Sequence, residues 1–574
     1  MSSTTINQSA GPGSAFHPTI RDWFANQFAE PTAVQRAAWP VIARGEHALI
    51  TAPTGSGKTL TAFLWSLNCF ASGHWQPGAT RVLYVSPLKA LNNDIRRNLL
   101  NPLNDLQHSS DFPAVRVQTR SGDTSQGDRQ RMLRNPPDIL ITTPESLSLL
   151  LTTIRGRQAL STVETLIIDE VHSMVDNRRG VSLMACAERV LANTGRLQRI
   201  ALSATVNPLD AVARYVGGYD DQGKARPVAI VNPATEKEIS LQVRYTEEVK
   251  HAAENGTPVW DPLADTFREL ALENRSTLFF TNSRAMAEKI TLKINEKSPA
   301  LLAYAHHGSL AREIRTEVEK RLKNQELRAI VATSSLEMGI DIGNLDQVVL
   351  MQSPPGIAAT LQRIGRAGHG VGETSRGLLY PLHSADFVEA AALSAATVTR
   401  DLEPLQPMHA ALDILSQVIV SMCASETWQV DDLYALLTRA APYHNLPREQ
   451  FDLVLDLLAG RYAGARIREL KARIVYNRIE GTVDATKSAL FALYNSGGSI
   501  PDRGYYQIRH ADSGAKIGEL DEEFVWEAKT GDVFSLGTQN WQVKQITHKD
   551  VFVTNAKDGL APPFWRSFRQ FCSS

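Results

Sequence analysis

Residues 52–59 read APTGSGKT, and this octapeptide constrains the fold more than any other stretch of the chain. It follows a β-branched apolar run, HALIT at 47–51, and precedes an apolar helical pattern, LTAFLWSL at 60–67. A strand that turns over two glycines into a helix is the P-loop arrangement, here with Ala52 in place of the first glycine. Thr54, Gly55, Ser56 and Gly57 form the cradle, whose glycines let backbone amides approach a phosphate while the helix presents its positive end. Lys58 is placed to reach the β and γ phosphates, and the Thr59 hydroxyl is placed to ligate Mg2+.

The rest of the N-terminal half has the texture such a loop requires. RVLYVSP (81–87), DILITTP (138–144), TLIIDE (165–170) and RIALSAT (199–205) are apolar runs ending in polar or turn residues, separated by helix-like segments. That is the pattern of a doubly wound parallel sheet, whose ligands collect at the carboxyl ends of the strands. A second series follows in STLFFTNSR (276–284), LLAYAHHG (301–308), RAIVATSS (328–335), QVVLMQSP (347–354) and GLLYPL (377–382). The fold class expected is therefore α/β, with two P-loop-type domains in tandem over 16–227 and 228–400. After Arg400 the pattern turns helical, and from Ser496 short strands with Gly and Asn-Ala turns begin. Residues 401–495 are expected to form a small helical domain and 496–574 a partial β-rich domain, behind a disordered lead-in at 1–15.

Composition narrows the class without naming a partner. A length of 574 residues exceeds one hydrophobic core, 43% hydrophobic and 21% charged residues are ordinary for a globular protein, and no apolar stretch reaches bilayer length. Four dispersed cysteines suggest neither a zinc site nor a disulfide framework, and a cytoplasmic, membrane-free setting is expected. The formal net charge of −1 means that any polyanion must be held by a local groove.

Chemistry gathers at two further places. LIIDEVH (166–172) ends an apolar strand on two carboxylates. With a P-loop upstream, Asp169 is expected to hold Mg2+ and Glu170 to position and deprotonate the attacking water. Positive charge against the γ phosphate is expected from LQRIGRAGHG (361–370), through Arg363 and Arg366. These four residues, with Lys58, are the candidate catalytic set.

FAEPTAVQ (28–35), APTGSGKT, SPLKAL (86–91), TTPESL (142–147), DEVH (169–172), SAT (203–205), FFTNSR (279–284), HHGSL (306–310), ATSSLEMGIDIG (332–343) and QRIGRAGH (362–369) occur in one order along the chain. This ordered set resembles the superfamily 2 DEAD/DEAH-box helicases. DEVH, QRIGRAGH, the helical domain, GGSIPDRGYY and APPFW look like the Lhr, or large helicase-related, group within it. The resemblance implies two RecA-like domains, a winged-helix domain and a further C-terminal domain. It also implies ATP-dependent movement, 3′ to 5′, on single-stranded DNA, with displacement of a paired DNA or RNA strand from tailed duplexes or RNA–DNA hybrids. It places Gln35 and Phe28 at the adenine, and Gly339 and Asp341 near the nucleotide. His172, Ser203 and Thr205 couple that site to the nucleic acid, and Thr333 and Glu337, with Gly339 and Asp341, lie between the two. His369 stands where many superfamily 2 relatives carry another arginine, as it does in the Lhr pattern. RSFRQFCSS after APPFW departs from that pattern, and a C-terminally shortened form is expected.

Contacts to a nucleic-acid strand are expected from Lys89 and Arg120 at strand ends, and from Thr142, Thr143 and Glu145 at a helix start. Arg96 and Arg97 read equally well as a solvated helix face, and Thr143 as an ordinary cap. Trp526, Trp541 and Trp565 are candidates for base stacking, Trp565 first, although core packing competes for each. Ile500 and Arg503 in SIPDRG are placed to wedge and clamp, in a segment that also reads as a plain turn. The reading favoured is an ATP-dependent helicase, acting as a monomer in DNA repair or nucleic-acid metabolism. A nucleic-acid-stimulated ATPase that clamps or remodels nucleoprotein without unwinding is the alternative, and no guanine-reading Asn-Lys-x-Asp run supports a GTPase.

Overall fold

A computed structural model describes residues 15–53, 55–87, 99–108, 112–122, 124–233, 238–298, 300–310, 312–324, 326–337, 345–368, 374–461, 471–489, 493, 505–521, 525, 528–536, 539–547 and 550–556. The chain forms two compact units that interleave in sequence, Met1–Thr235 with Pro404–Ile500 and Glu236–Glu403 with Pro501–Ser574.

In the first unit seven strands form one parallel sheet: β1 (His47–Thr51), β2 (Val82–Val85), β3 (Val117–Arg120), β4 (Ile139–Thr142), β5 (Thr165–Ile168), β6 (Gln198–Ser203) and β7 (Val228–Val231). Their order is β3-β4-β2-β5-β6-β1-β7. Helices cover both faces, so alternate residues of each strand enter different cores. Ile50, Tyr84, Ile141, Ile167 and Ile200 go to one, and Leu49, Leu83, Leu140, Leu166 and Ala201 to the other. Burial on both faces is why these strands read as continuous apolar runs. The edge strand β7 reads VAIV, a short apolar run that is half-exposed along most of its length, and sequence reasoning missed it.

Residues 404–500 supply helices Leu412–Cys423, Val430–Leu437 and Arg448–Leu458, with strands β14 (Trp428–Gln429), β15 (Ile474–Asn477) and β16 (Thr482–Ala485) in an antiparallel sheet ordered β14-β16-β15. Helix Arg178–Thr194 lends Val181 and Ala185 to the core of this winged-helix part. Around that shared core Thr152 and Ser421 share a buried hydrogen bond of 2.7 Å. Arg157 pairs with Glu426 at 2.6 Å, and Arg178 with Asp413 at 2.6 Å.

The second unit holds a parallel sheet of β8 (Ile239–Val243), β9 (Thr277–Phe280), β10 (Ala303–His306), β11 (Ala329–Ala332), β12 (Gln347–Met351) and β13 (Ser375–Tyr380), ordered β10-β11-β9-β12-β13-β8. Edge strand β8, ISLQV, also escaped the sequence reading, since Ser240 and Gln242 interrupt its apolar residues and none of its residues is buried. Strands β17 (Tyr505–His510), β18 (Lys516–Asp521), β19 (Val533–Leu536), β20 (Gln539–Ile546) and β21 (Asp550–Asn555) form the β-rich part, ordered β18-β17-β21-β20-β19. Ala305 and Leu310 join its core. A Cβ on Gly518 would lie 2.2 Å from the Ser309 carbonyl oxygen, so glycine is required where the two parts meet. Trp541 is buried in that core and its indole N–H donates to the Leu536 carbonyl at 3.2 Å, which removes it from the stacking candidates.

A buried charge network closes the edge of the first sheet. Arg199, 1% exposed, donates to Glu188 at 2.8 Å and to the carbonyls of Val216 and Gly217 at 2.9 Å each. Arg226 engages both Glu188 oxygens, at 2.7 and 3.0 Å. His47 Nδ1 beside it accepts from the Arg199 backbone N–H at 3.1 Å. Burial, then the two guanidinium groups, drive its pKa down from 6.5 to about 4. Burial likewise lowers His306 in the second unit. A histidine held neutral in the fold binds its proton first when unfolded, so stability is lost as pH falls below about 6.5 toward the folded value. The thermal midpoint should therefore drop between pH 7 and pH 5. His47 alone accounts for about 2 kcal/mol of that at pH 5, at about 1.4 kcal/mol per pH unit. His47→Asn should flatten the dependence, measured by calorimetry across this range.

Candidate nucleotide and strand-coupling site

Because β5, β6 and β1 are neighbours and parallel, three sequence motifs meet at their carboxyl ends. The register aligns Thr51 with Ser203 and Ile168 with Ala201. The P-loop leaves β1, Asp169 and Glu170 leave β5, and Ser203–Thr205 closes β6, so these residues assemble from strand order alone.

The loop adopts the conformation its glycines allow. Gly55 and Gly57 have φ of +81° and +84°, a region costly to side chains. A Cβ on Gly57 would lie 2.9 Å from Gln35 Nε2, so the Gln35 amide rests against the loop. Gln35 is buried and locked by a capping box with Thr32, its Oε1 accepting from the Thr32 N–H at 2.9 Å. The Thr32 hydroxyl in turn donates to the Ser56 carbonyl at 2.9 Å. Phe28 ends the first helix, 41% exposed, its ring 4.9 Å from that of Phe24.

Lys58, at the start of helix Lys58–Ala71, folds its ammonium back on the loop, donating to the carbonyls of Ala52 at 2.5 Å and Pro53 at 2.9 Å. Thr59 follows it, half-buried. The Ser56 hydroxyl is buried without a hydrogen-bond partner among the described residues. Thr54 lies outside the described residues.

Asp169 and Glu170 are 4% and 8% exposed. The Glu170 N–H donates to Asp169 Oδ1 at 2.8 Å, and the Tyr84 hydroxyl donates to Asp169 Oδ2. Burial, then the Glu170 charge, raise the Asp169 pKa to about 6, with Tyr84 and Lys58 opposing. Glu170 itself sits at φ +48°, left-handed for a residue that is not glycine. Backbone strain of this kind persists where surrounding structure fixes it and concentrates at functional sites. A buried carboxylate pair, an orphaned hydroxyl and a glycine cradle fit a nucleotide phosphate with its Mg2+. Asp169 and Thr59 would hold the ion, which supplies Lewis-acid stabilisation of phosphate charge when bound.

His172 connects this site to β6. Its Nδ1 accepts from the Ala204 N–H at 3.3 Å and lies 3.1 Å from the Ser203 hydroxyl. Burial, and then Lys58, lower its pKa to about 4, so the imidazole is neutral. Thr205 follows, half-buried.

Farther along the same sheet edge, the Thr142 hydroxyl donates to the Arg120 carbonyl at 2.9 Å. Thr143 caps helix Pro144–Leu151. Arg179 holds the Glu145 carboxylate at 2.6 and 3.3 Å and donates to the Pro87 carbonyl at 2.5 Å. The side chains of Thr142, Thr143 and Glu145 are thus already engaged in shaping that edge, and Arg120 takes part through its carbonyl. Lys89, Arg96, Arg97, Gly339, Asp341, His369, Ile500, Arg503, Trp526 and Trp565 lie outside the described residues.

In the second unit Arg363 and Arg366 converge on Glu337. Arg363 Nε donates to its carboxylate at 3.1 Å, and Arg366 donates to its carbonyl at 2.8 Å. Asn282, leaving β9, accepts from Arg363 at 3.0 Å and donates to the Ser353 carbonyl at 2.7 Å. Burial pushes the Glu337 carboxyl up while the two arginines pull it down. Both arginines are nearly inaccessible, at 3% and 2%, and so held in fixed orientations. Thr333 leaves β11, its N–H donating to the His306 carbonyl at 3.3 Å.

Tyr84, Asn282 and Arg179 are the residues sequence reasoning missed. Tyr84 sits in an apolar run and reads only as core. The Thr32–Gln35 capping spacing was legible and would have fixed how Gln35 is held.

Fold and site together define a superfamily 2 helicase core. The DEAD/DEAH box helicase model matches residues 32–212, the helicase conserved C-terminal domain model 262–370, and the large helicase-related protein winged helix domain model 395–561. The solved helicase Lhr of Mycobacterium smegmatis, bound to ssDNA and AMP-PNP, is 41% identical, with a TM-score of 0.79 over 92% of this chain and 68% of that one. The chain belongs to the Lhr family of helicases. The Lhr helicase/uracil glycosylase of Escherichia coli is 41% identical over 96% of this chain. ATP-dependent helicase Lhr-Core protein 2 of Thermococcus barophilus is 39% identical over 96% of this chain and 65% of its own length. The chain spans about two fifths of the length of the bacterial relatives, 39% and 40%. Among the described residues no helix is long and apolar enough to cross a membrane.

Gly57→Ala should lower nucleotide affinity at least roughly ten-fold with little change in thermal midpoint, because a Cβ at positive φ costs about 1–2 kcal/mol before its clash with Gln35. Calorimetric titration with a non-hydrolysable ATP analogue measures this. In the same titration Tyr84→Phe should weaken Mg2+-dependent binding by roughly ten-fold, since a hydrogen bond to a charged group is worth about 1.5–3 kcal/mol. Binding without Mg2+ should be unchanged.

Proposed function

We propose that this chain hydrolyses ATP to move along single-stranded DNA, 3′ to 5′, and to displace a paired DNA or RNA strand, in DNA repair or nucleic-acid metabolism. The observation that carries the reading is the His172–Ser203–Ala204 contact, which joins the carboxylate turn of the nucleotide site to the end of β6. Loss or gain of a phosphate beside Asp169 and Glu170 reaches that contact through three residues of chain. The ATP-dependent helicases of the family and the ssDNA-bound M. smegmatis Lhr support the substrate class.

In this mechanism Lys58 leaves the loop carbonyls for the β and γ phosphates, which replace two neutral acceptors with a charged one. Glu170 orients the attacking water and takes its proton. Its left-handed turn and the Asp169 oxygen that accepts its N–H fix where the carboxylate stands. Gln35 and Phe28 take the adenine. Arg363 and Arg366 stabilise charge at the γ phosphate, and their engagement with Glu337 sets their direction beforehand, which is how preorganised charge acts. Gly339 and Asp341 are assigned to the nucleotide and Thr333 to the coupling path. Arg120, Thr142, Thr143 and Glu145, with Lys89, Ile500, Arg503 and Trp565, are assigned to the nucleic acid. The assigned domains are 16–227 and 228–400 for the motor, 401–495 for the winged helix and 496–574 for the β-rich part.

Hydrolysis should rise at least about ten-fold on adding single-stranded DNA, and Glu170→Gln should abolish it while leaving nucleotide binding intact. Displacement should occur from 3′-tailed and not 5′-tailed duplexes in the same mixture. Stimulated hydrolysis with no displacement from either would favour a clamp or remodeller.

A further inference from the structure

The chain passes from the second unit to the first between Glu403 and Pro404. On one side of that crossing, the Glu403 carboxylate accepts from the Ile357 N–H at 2.7 Å. Ile357 opens the helix Ile357–Ile364 that carries Arg363. Gly356 precedes it, and a Cβ there would lie 3.0 Å from Glu403 Oε1, so the glycine lets the carboxylate close on the helix end. On the other side, the Leu405 N–H donates to the Asn207 carbonyl at 2.6 Å, and the Met408 N–H to the Val175 carbonyl at 2.9 Å. Asn207 comes two residues after Thr205, and Val175 three residues after His172. At Leu412 the chain enters the first helix of the winged-helix part, whose core takes Val181 and Ala185 from the motor domain.

Six residues, EPLQPM at 403–408, therefore touch the arginine helix, the segment after SAT and the segment after DEVH before reaching the winged helix. Two of the six are prolines, whose fixed φ stiffens the span. A simple linker runs over the surface without such main-chain bonds. We propose that residues 403–408 are a coupling strap, with Glu403 a positioning residue for the arginine helix. The strap makes nucleotide-dependent movement of Arg363 and Arg366 felt by the His172–Ser203 contact and the winged helix. This rests on the reading that nucleotide and nucleic-acid binding are linked in this chain.

The test is a fluorescence-anisotropy titration of labelled single-stranded DNA with the full chain, with and without a non-hydrolysable ATP analogue. The ratio of the two Kd values is the coupling, which should be at least about five-fold in the wild type. Inserting Gly-Ser-Gly between Glu403 and Pro404 leaves every contact available and lengthens only the strap. It should lower the ratio at least about two-fold, with nucleotide affinity alone, DNA affinity alone and thermal midpoint unchanged. Glu403→Ala should reduce the ratio in the same direction. Glu403→Gln, whose amide oxygen still accepts from Ile357, should restore it. An insertion variant with the wild-type ratio overturns the strap. A wild-type ratio of one overturns the functional reading and the strap with it, before any variant is compared.

Discussion

The interaction on which the rest depends is the burial of two adjacent carboxylates at the end of β5. Asp169 and Glu170 are nearly inaccessible, and burying charge without compensation is costly. Every neighbour can be understood as a response to that cost. Tyr84 and the Glu170 N–H satisfy the two Asp169 oxygens, and the Lys58 charge opposes the rise of its pKa. The compensation is partial, and burial with the Glu170 charge still raises the Asp169 carboxyl above its ordinary value. Burial first, and then the same positive charge, keep His172 neutral. A neutral His172 accepts at Nδ1, so the link to β6 depends on that burial as well as on the charge beside β5.

The second unit solves a related problem with the signs reversed. Arg363 and Arg366 are as buried as the carboxylates, and Glu337, Asn282 and the Phe280 ring, 5.3 Å from the Arg363 guanidinium, occupy them. Guanidinium groups already fixed by neutral and acidic partners need little reorganisation to act on an anion, which is the requirement for charge stabilisation in a transition state. One unit thus carries buried negative charge on a turn and the other buried positive charge on a helix.

How much of this was legible depended on whether a residue's task shows in local pattern. Ten apolar runs, from HALIT to GLLYPL, became strands that start within two residues and end within four of their sequence limits, because burial on both faces leaves a continuous signal. Edge strand β8 is half-exposed and its apolar residues are interrupted, while the half-exposed β7 carries only the four residues VAIV. The wing formed by β15 and β16 was hidden by its polar residues in VYNRIEGTVDA, although Glu-Gly marks the turn. At the site, the P-loop and DEVH were legible because glycines and paired carboxylates are required by type. Tyr84 was not, since a tyrosine in an apolar run is ordinarily core and only the fold brings its hydroxyl to Asp169. Thr143 and Glu145 carried a helix-start signal, and the structure shows what that signal also encodes, a cap and an ion pair that hold the sheet edge.

The sequence carried no sign of the interleaving of the two units, and that feature has the largest mechanical consequence. The winged-helix part shares Val181 and Ala185 with helix Arg178–Thr194, which follows the DEVH turn directly. The β-rich part takes Ala305 and Leu310 from the second motor domain, at the strand end that carries His306 and His307. A shared core is rigid on the scale of a side chain, because close-packed interiors transmit displacement and do not absorb it. Each appended part must therefore move with the motor domain it packs on, and not with its neighbour in sequence.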